Sequence, residues 1–121
     1  MIKETFNHYD NNDGKNIKII IGSPSMREGI SLLRVRYIHI IDPYWNWSRM
    51  DQIIGRGVRY CSHKDMPKKE RNVKIYIYIA RGSNNEKTID DYILELANEK
   101  QKIINQFQNT LITSAIDYKL Y

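Results

Sequence analysis

The sequence predicts an α/β domain in which a parallel sheet is flanked by helices. Two observations carry this. Short apolar runs with strand character occur at 17–21, 35–41 and 73–79, and helical patterns occupy 48–58 and the stretch from Thr88 onward. The resulting order is strand, strand, helix, strand, helix, and apolar strands separated by helical segments build parallel layers. Three strands make a thin sheet.

Residues 2–9 read as a short helix with Ile2, Phe6 and Tyr9 on one side. Asp10-Asn11-Asn12-Asp13-Gly14 is a turn by chemistry, because Asn, Asp and Gly tolerate unusual backbone angles. Ile17-Lys18-Ile19-Ile20-Ile21 reads as a buried strand, and 22–28 as a polar loop or helix start. The strand at 35–41 should stop at Asp42-Pro43, because proline has no amide hydrogen for a ladder. Ser48 is expected to cap the next helix, with Asp51 completing a capping-box-like pair. Residues 60–72 read as a polar loop broken by Pro67. Val73, Ile75, Ile77 and Ile79 alternate with Lys74, Tyr76 and Tyr78, which is strand periodicity. Gly82-Ser83-Asn84-Asn85 is a turn. Thr88 then opens a long amphipathic helix, again with an acid, Asp91, three residues later. A last helical piece is expected through Leu111, Ile112 and Ile116.

The chain has 121 residues, 41% hydrophobic and 27% charged, which is globular and enough for one modest core. Its net charge of +5 favours anionic partners such as nucleic acid, nucleotide phosphates or membrane headgroups. The single cysteine, Cys61, excludes an intrachain disulfide and points to a reducing compartment. No apolar stretch approaches the ~20 residues that cross a bilayer, and the N-terminus has no signal-peptide core, so no membrane partner is expected. Cys61 and His63 are far short of a four-ligand metal site.

Four segments could carry chemistry. On a helix, Gln52, Arg56 and Arg59 fall within about 60° of one another with Gly55 beside them, while Met50, Ile53, Ile54 and Gly57 form the opposite, sheet-facing side. Arginine binds phosphate with a planar fork, and a glycine beside it lets a ligand or backbone come close. The alternative is a solvated basic face. Gly22 to Ser31 follows a strand, where ligands of open α/β sheets sit, and offers small hydroxyls, backbone amides and Arg27. Tyr44, Trp45 and Trp47 could stack on bases or anchor their loop to the core. The loop from Arg59 to Lys74 has six basic and two acidic residues, a fair nucleic-acid contact or simply a solvated run.

Together these segments resemble the second RecA-like domain of superfamily 2 helicases and translocases. Gln52-x-x-Gly55-Arg56-x-x-Arg59 matches the family's motif VI, Q-x-x-G-R-x-x-R, and Ser23 through Ser31 sits where motif V belongs. Asp42-Pro43-Tyr44-Trp45-Asn46 is similar to the D-x-x-W-N stretch of the chromatin-remodelling branch. Glu28-Gly29-Ile30-Ser31-Leu32, Pro43-Tyr44-Trp45-Asn46, Cys61-Ser62-His63-Lys64-Asp65 and Glu70-Arg71-Asn72-Val73 most resemble the helicase-like NTPases of large cytoplasmic DNA viruses. These are relatives of poxvirus early transcription factor and nucleoside triphosphate phosphohydrolase I. Thr88-Ile89-Asp90-Asp91-Tyr92 and Ala115-Ile116-Asp117-Tyr118 look like the carboxyl part of that group.

The resemblance implies a RecA-like helicase C-terminal domain over residues 1–82, lacking its first strands, and a helical extension packed on it over 83–121. It implies Arg59 as the arginine finger on ATP bound by another domain, Arg56 as its partner, and Gln52 positioning both. Gly29, Ser31 and Gly55 are implied at the nucleotide, although many members carry an acid where Ser31 stands. Ser23 is implied at nucleic acid, DNA or RNA, where Ser25 and Arg27 by their hydroxyl and charge, and Lys64 and Lys68 of the basic loop, are expected as well. The phosphate loop and the acidic Mg²⁺-binding box are not in this chain and would lie in an N-terminal RecA-like domain supplied in cis or in trans. The implied cofactors of the complete enzyme are ATP and Mg²⁺. Viral transcription machinery is an implied partner, and the host cytoplasm or virion the location. The rival readings are a non-catalytic nucleic-acid-binding module and a structural remnant of such a helicase.

Overall fold

A computed structural model describes residues 2–23, 30–84 and 86–115. They fall into two compact units, Met1–Ile40 with Asp51–Ile77, and Ile41–Met50 with Tyr78–Tyr121.

In the first unit, α1 spans Ile2–Asn7 and is followed by a 3-10 turn, Tyr9–Asn11. The buried Asn11 side chain then fixes the chain reversal with all of its hydrogen-bonding capacity. Its Nδ2 donates to Phe6 O (3.1 Å) and Ile17 O (3.0 Å), and its Oδ1 accepts from Asn16 N (2.9 Å) and Ile17 N (2.8 Å). Gly14 sits at φ 70°, a left-handed position that favours glycine.

The sheet of this unit has two parallel strands, β1 (Tyr37–Ile40) and β2 (Lys74–Ile77), in register from Tyr37 opposite Lys74 to Ile40 opposite Ile77. Both strands fall inside the runs that predicted them. On one face Tyr76 stacks on His39 (5.1 Å between ring centroids) and on Tyr37 (6.4 Å). On the other, Ile40 is buried and Ile38 packs against Gly57.

The expected strand at 17–21 does not form among the described residues. The segment has no ladder, and Ile19 and Ile21 are 77% and 94% exposed. A β-branched run favours extended backbone, but a strand also needs a partner for its amides.

Helix α2 spans Trp47–Ile54 and belongs to both units. It differs from expectation at both ends. Its first turn is held by Asn46, whose Oδ1 accepts from Ser48 N at 2.9 Å, so Asn46 and not Ser48 is the cap. It stops four residues short of Val58, where Gly55 and Gly57 depress helix propensity and the chain tightens into turns. Gly57 sits in a close contact: a Cβ there would lie 3.1 Å from Val35 Cγ1 and 3.2 Å from Ile38 Cδ1. Met50 and Gly57 are buried as the apolar face predicts, whereas Ile53 is 44% exposed.

In the second unit, α3 spans Ile89–Ser114. Thr88 is its N-cap and forms the expected capping box with Asp91. The helix runs through Leu111 and Ile112 without a break, so these belong to α3 and not to a separate piece; Ile116 lies outside the described residues.

Candidate functional site

Gln52 is exposed on α2, and Gly55, Arg56 and Arg59 lie in the turns that follow it. The geometry of an uninterrupted helix therefore does not place Arg59. Local turns do: Gly57 N and Val58 N both donate to Ile54 O (3.0 and 2.9 Å), and Ser62 N donates to Arg59 O (3.0 Å). Cys61, at φ 59°, takes the left-handed conformation that closes this last turn. From it the Arg59 guanidinium reaches back 28 residues, and its Nη1 donates to Ser31 Oγ. A second tie runs beside it, Leu32 N to Arg56 O at 2.9 Å. The structure thus brings together Ser31 of one predicted segment and Arg56 and Arg59 of another.

Ser31 is itself held from α1. Asn7 Nδ2 donates to Ser31 O (2.9 Å), and Asn7 Oδ1 accepts from Leu33 N (2.8 Å). Three residues after Ser31, Arg34 is buried at φ 58°. Its guanidinium donates to Asn7 O, to His8 O (3.0 Å) and to Asp65 (3.4 Å), while its amide donates to Ser62 O (3.1 Å). A left-handed arginine costs on the order of 1–2 kcal/mol, which these bonds offset. Asn7 and Arg34 were missed from sequence; their partners lie 24 to 31 residues away, and no local pattern marks them.

After Arg59 the chain folds around His63. Its Nε2 lies 2.7 Å from Val35 O, a pure acceptor, so Nε2 carries the proton. In the neutral ring, Nδ1 then accepts from Ser62 Oγ at 2.8 Å. Arg71 Nε and Nη2 donate to Met66 O (2.8 Å) and Lys64 O (2.7 Å), closing the loop. Lys64 and Lys68 are both exposed, Lys64 at the wall of a pocket beside Arg59. Ser23 is exposed at the edge of the described region. Ser25, Arg27 and Gly29 lie outside the described residues.

The aromatic segment belongs to the second unit. Trp47 Nε1 donates to Asn98 Oδ1 on α3 (2.8 Å), and Lys100 Nζ sits 4.1 Å from the Trp45 ring centre. Arg49 lies over Tyr44 at 4.3 Å. The rings therefore fasten their loop to α3, although Trp45 remains 44% exposed. At the start of α3, hydrogen bonds from the Thr88 amide and hydroxyl hold the Asp91 carboxyl below its ordinary range. An ion pair with Glu95, hydrogen-bonded, raises Lys87.

Residues 2–61 match the family model of the helicase conserved C-terminal domain, and residues 63–120 that of the nucleoside triphosphatase I C-terminal region. The chain therefore belongs to the helicase C-terminal domain family, α/β in class, in the branch that carries the nucleoside triphosphatase I C-terminal region.

The relatives agree. The mimivirus protein R563, from Acanthamoeba polyphaga mimivirus, is named provisionally as an ATP-dependent RNA helicase; it is 46% identical over 120 residues, spanning 99% of this chain and 21% of that protein. Nucleoside triphosphatase I of Heliothis armigera entomopoxvirus is 42% identical over 112 residues, spanning 93% and 17%. An uncharacterized killer-plasmid helicase of Kluyveromyces lactis is 38% identical over 118 residues, spanning 89% and 19%. The chain thus spans about a fifth of the length of these relatives or less.

Proposed function

We propose that this chain is the C-terminal part of an ATP-dependent nucleic-acid helicase or translocase, contributing one wall of an ATP site that an N-terminal RecA-like domain completes. In this reading, residues 1–82 are the RecA-like portion and 83–121 the helical extension. Arg59 is the arginine finger, Arg56 its partner and Gln52 their positioning residue, with Gly29, Ser31 and Gly55 at the nucleotide. Ser23, Ser25, Arg27, Lys64 and Lys68 follow the nucleic-acid backbone. The carrying observation is the hydrogen bond from Arg59 to Ser31, which joins the segments resembling motifs VI and V. Family membership and the helicase and triphosphatase relatives support it.

A finger acts where charge builds on the transferring phosphoryl group. Among the described residues this exposed guanidinium has a neutral hydroxyl and no carboxylate for a partner, which leaves its charge for that purpose. The donor set described here does not suit Mg²⁺: among the described residues no three His, Cys, Asp or Glu side chains cluster. Its ligands are assigned to the acidic box of the other domain. Among the described residues no helix is long and apolar enough to cross a membrane. The viral relatives support a viral protein; in this reading it acts in the host cytoplasm or virion, with transcription machinery as a partner.

The test is complementation. A polypeptide carrying the phosphate loop and acidic box is assayed for nucleic-acid-stimulated ATP hydrolysis with and without this chain. The reading expects turnover only with both. ATP hydrolysis by the purified chain alone, or none with both present, contradicts it, and the second result favours a non-catalytic remnant.

A further inference from the structure

The loop from Arg59 to Lys74 has two acids, and both are committed to the segment leading into β1. Asp65 pairs with Arg34 (3.4 Å) and Glu70 with Arg36 (3.0 Å). Among the described residues, Arg59, Lys64 and Arg71 pair with no carboxylate. These three cations, with His63, line one pocket of about 370 Å³, and among the described residues no acidic side chain contributes to its wall.

Arg71 is fixed there before any ligand arrives, since Nε and Nη2 are held by the carbonyls of Met66 and Lys64. Carbonyls orient a guanidinium without neutralising it, and Nη1 is left to donate. A side chain already ordered loses little entropy on binding. The pocket lies at the small end of the roughly 300–1,000 Å³ that ligand sites occupy, ample room for a phosphate group.

We propose that this pocket is a phosphate-binding site, with Lys64 and Arg71 as its ligands and Arg59 at its rim. Three cations along one pocket and a remaining guanidinium N–H suit a tetrahedral oxyanion. Two sources share this chemistry: the backbone of a nucleic-acid strand, and a free phosphate or the phosphate chain of a nucleotide. The site sharpens the nucleic-acid reading of the 59–74 loop, and it does not depend on Arg59 acting as a finger.

The test uses the 121-residue chain with Lys64→Gln, Arg71→Lys and, as a control of equal charge change on α3, Lys102→Gln. A labelled single-stranded oligonucleotide is titrated at several salt concentrations, and inorganic pyrophosphate is titrated by calorimetry. Each lost phosphate contact lowers the slope of log affinity against log salt by roughly one. If Lys64→Gln lowers that slope and Lys102→Gln does not, the site holds a nucleic-acid phosphate. If strand binding is absent or unchanged but pyrophosphate binding falls at least tenfold in Lys64→Gln, the site holds and its source is a nucleotide or free phosphate. Arg71→Lys keeps the charge but loses the fork, so it should weaken the same probe. Lys64 makes no side-chain hydrogen bond among the described residues, so its variant decides the matter should Arg71→Lys fail to fold. The proposal is overturned if both probes bind Lys64→Gln as they bind the unaltered chain, or if Lys102→Gln weakens them equally.

Discussion

Arg59 Nη1 donates to Ser31 Oγ across 28 residues of sequence, and Asn7 fixes the backbone of the same serine from α1. The guanidinium is thereby oriented by a chain of two side chains. In the assembled enzyme, Ser31→Ala is predicted to lower kcat several-fold while leaving KM for ATP within about twofold, and Ser31→Thr, which keeps a hydroxyl, to restore most of the rate. Steady-state kinetics of both variants check this. A rise in KM with unchanged kcat would show that Ser31 serves only at the nucleotide and does not also orient the arginine.

Asn7→Ala removes two partly buried hydrogen bonds, to Ser31 O and from Leu33 N. It should cost about 1–3 kcal/mol, because the loop amide and carbonyl lose their partners. Urea denaturation measures it. A loss below about half a kcal/mol would mean that water replaces the side chain without penalty.

Gly57→Ala would drive a Cβ to 3.1–3.2 Å from Val35 and Ile38. The expected loss is about 1–3 kcal/mol of stability, as for other overpacked sites. Val35→Ala removes the nearest atom, Cγ1, while Val35 Cβ and Ile38 Cδ1 stay at 3.2 Å, so the double variant should be somewhat more stable than the two single losses predict by addition. Additive losses would show that backbone propensity, and not this contact, selects glycine.

What was legible in the sequence was local. The alternation at 73–79 and the run at 35–41 gave both strands, and Thr88 with Asp91 marked the start of α3 to the residue. These signals lie within a few positions of one another. The strand expected at 17–21 was not legible, because a ladder depends on a partner elsewhere in the chain. The end of α2 was misplaced because the arginines were set on a regular helix, while two glycines let the chain turn at Gly55. Gln52, Arg56 and Arg59 could be named from their spacing. The contact to Ser31, the Asn7 and Arg34 clasp and the pinned Arg71 could not, since each joins residues by tertiary geometry alone.

Asp91 is held below its ordinary range by hydrogen bonds from Thr88. A carboxylate with a lowered folded value contributes stability above its unfolded value, near 4. That contribution declines below about pH 4 and is lost as pH falls through the lowered value. The first turn of α3 should therefore exchange its amides faster, relative to the middle of the helix, as pH drops through this window, and Asp91→Asn should abolish the dependence. Thr88→Ala should destabilise the helix start by about 1 kcal/mol at neutral pH. Hydrogen exchange of residues 88–92 measures all three, and a flat pH response in the unaltered chain would show that the capping box does not persist in solution.

The central claim is that Arg59 acts on the transition state of ATP hydrolysis. Its most direct test is turnover and ATP affinity of Arg59→Ala and Arg59→Lys in the enzyme assembled with its N-terminal domain, with Arg49→Ala as the control, since Arg49 is occupied by Tyr44. A finger contributes on the order of 10³–10⁵ in rate, and lysine lacks the planar fork. Both Arg59 variants are predicted to lose nucleic-acid-stimulated hydrolysis while ATP affinity stays within about tenfold, roughly 1.4 kcal/mol, and Arg49→Ala to remain active. If Arg59→Ala retains more than about a tenth of the unaltered turnover, against the 10³-fold loss expected of a finger, Arg59 is a solvated basic residue and the account fails.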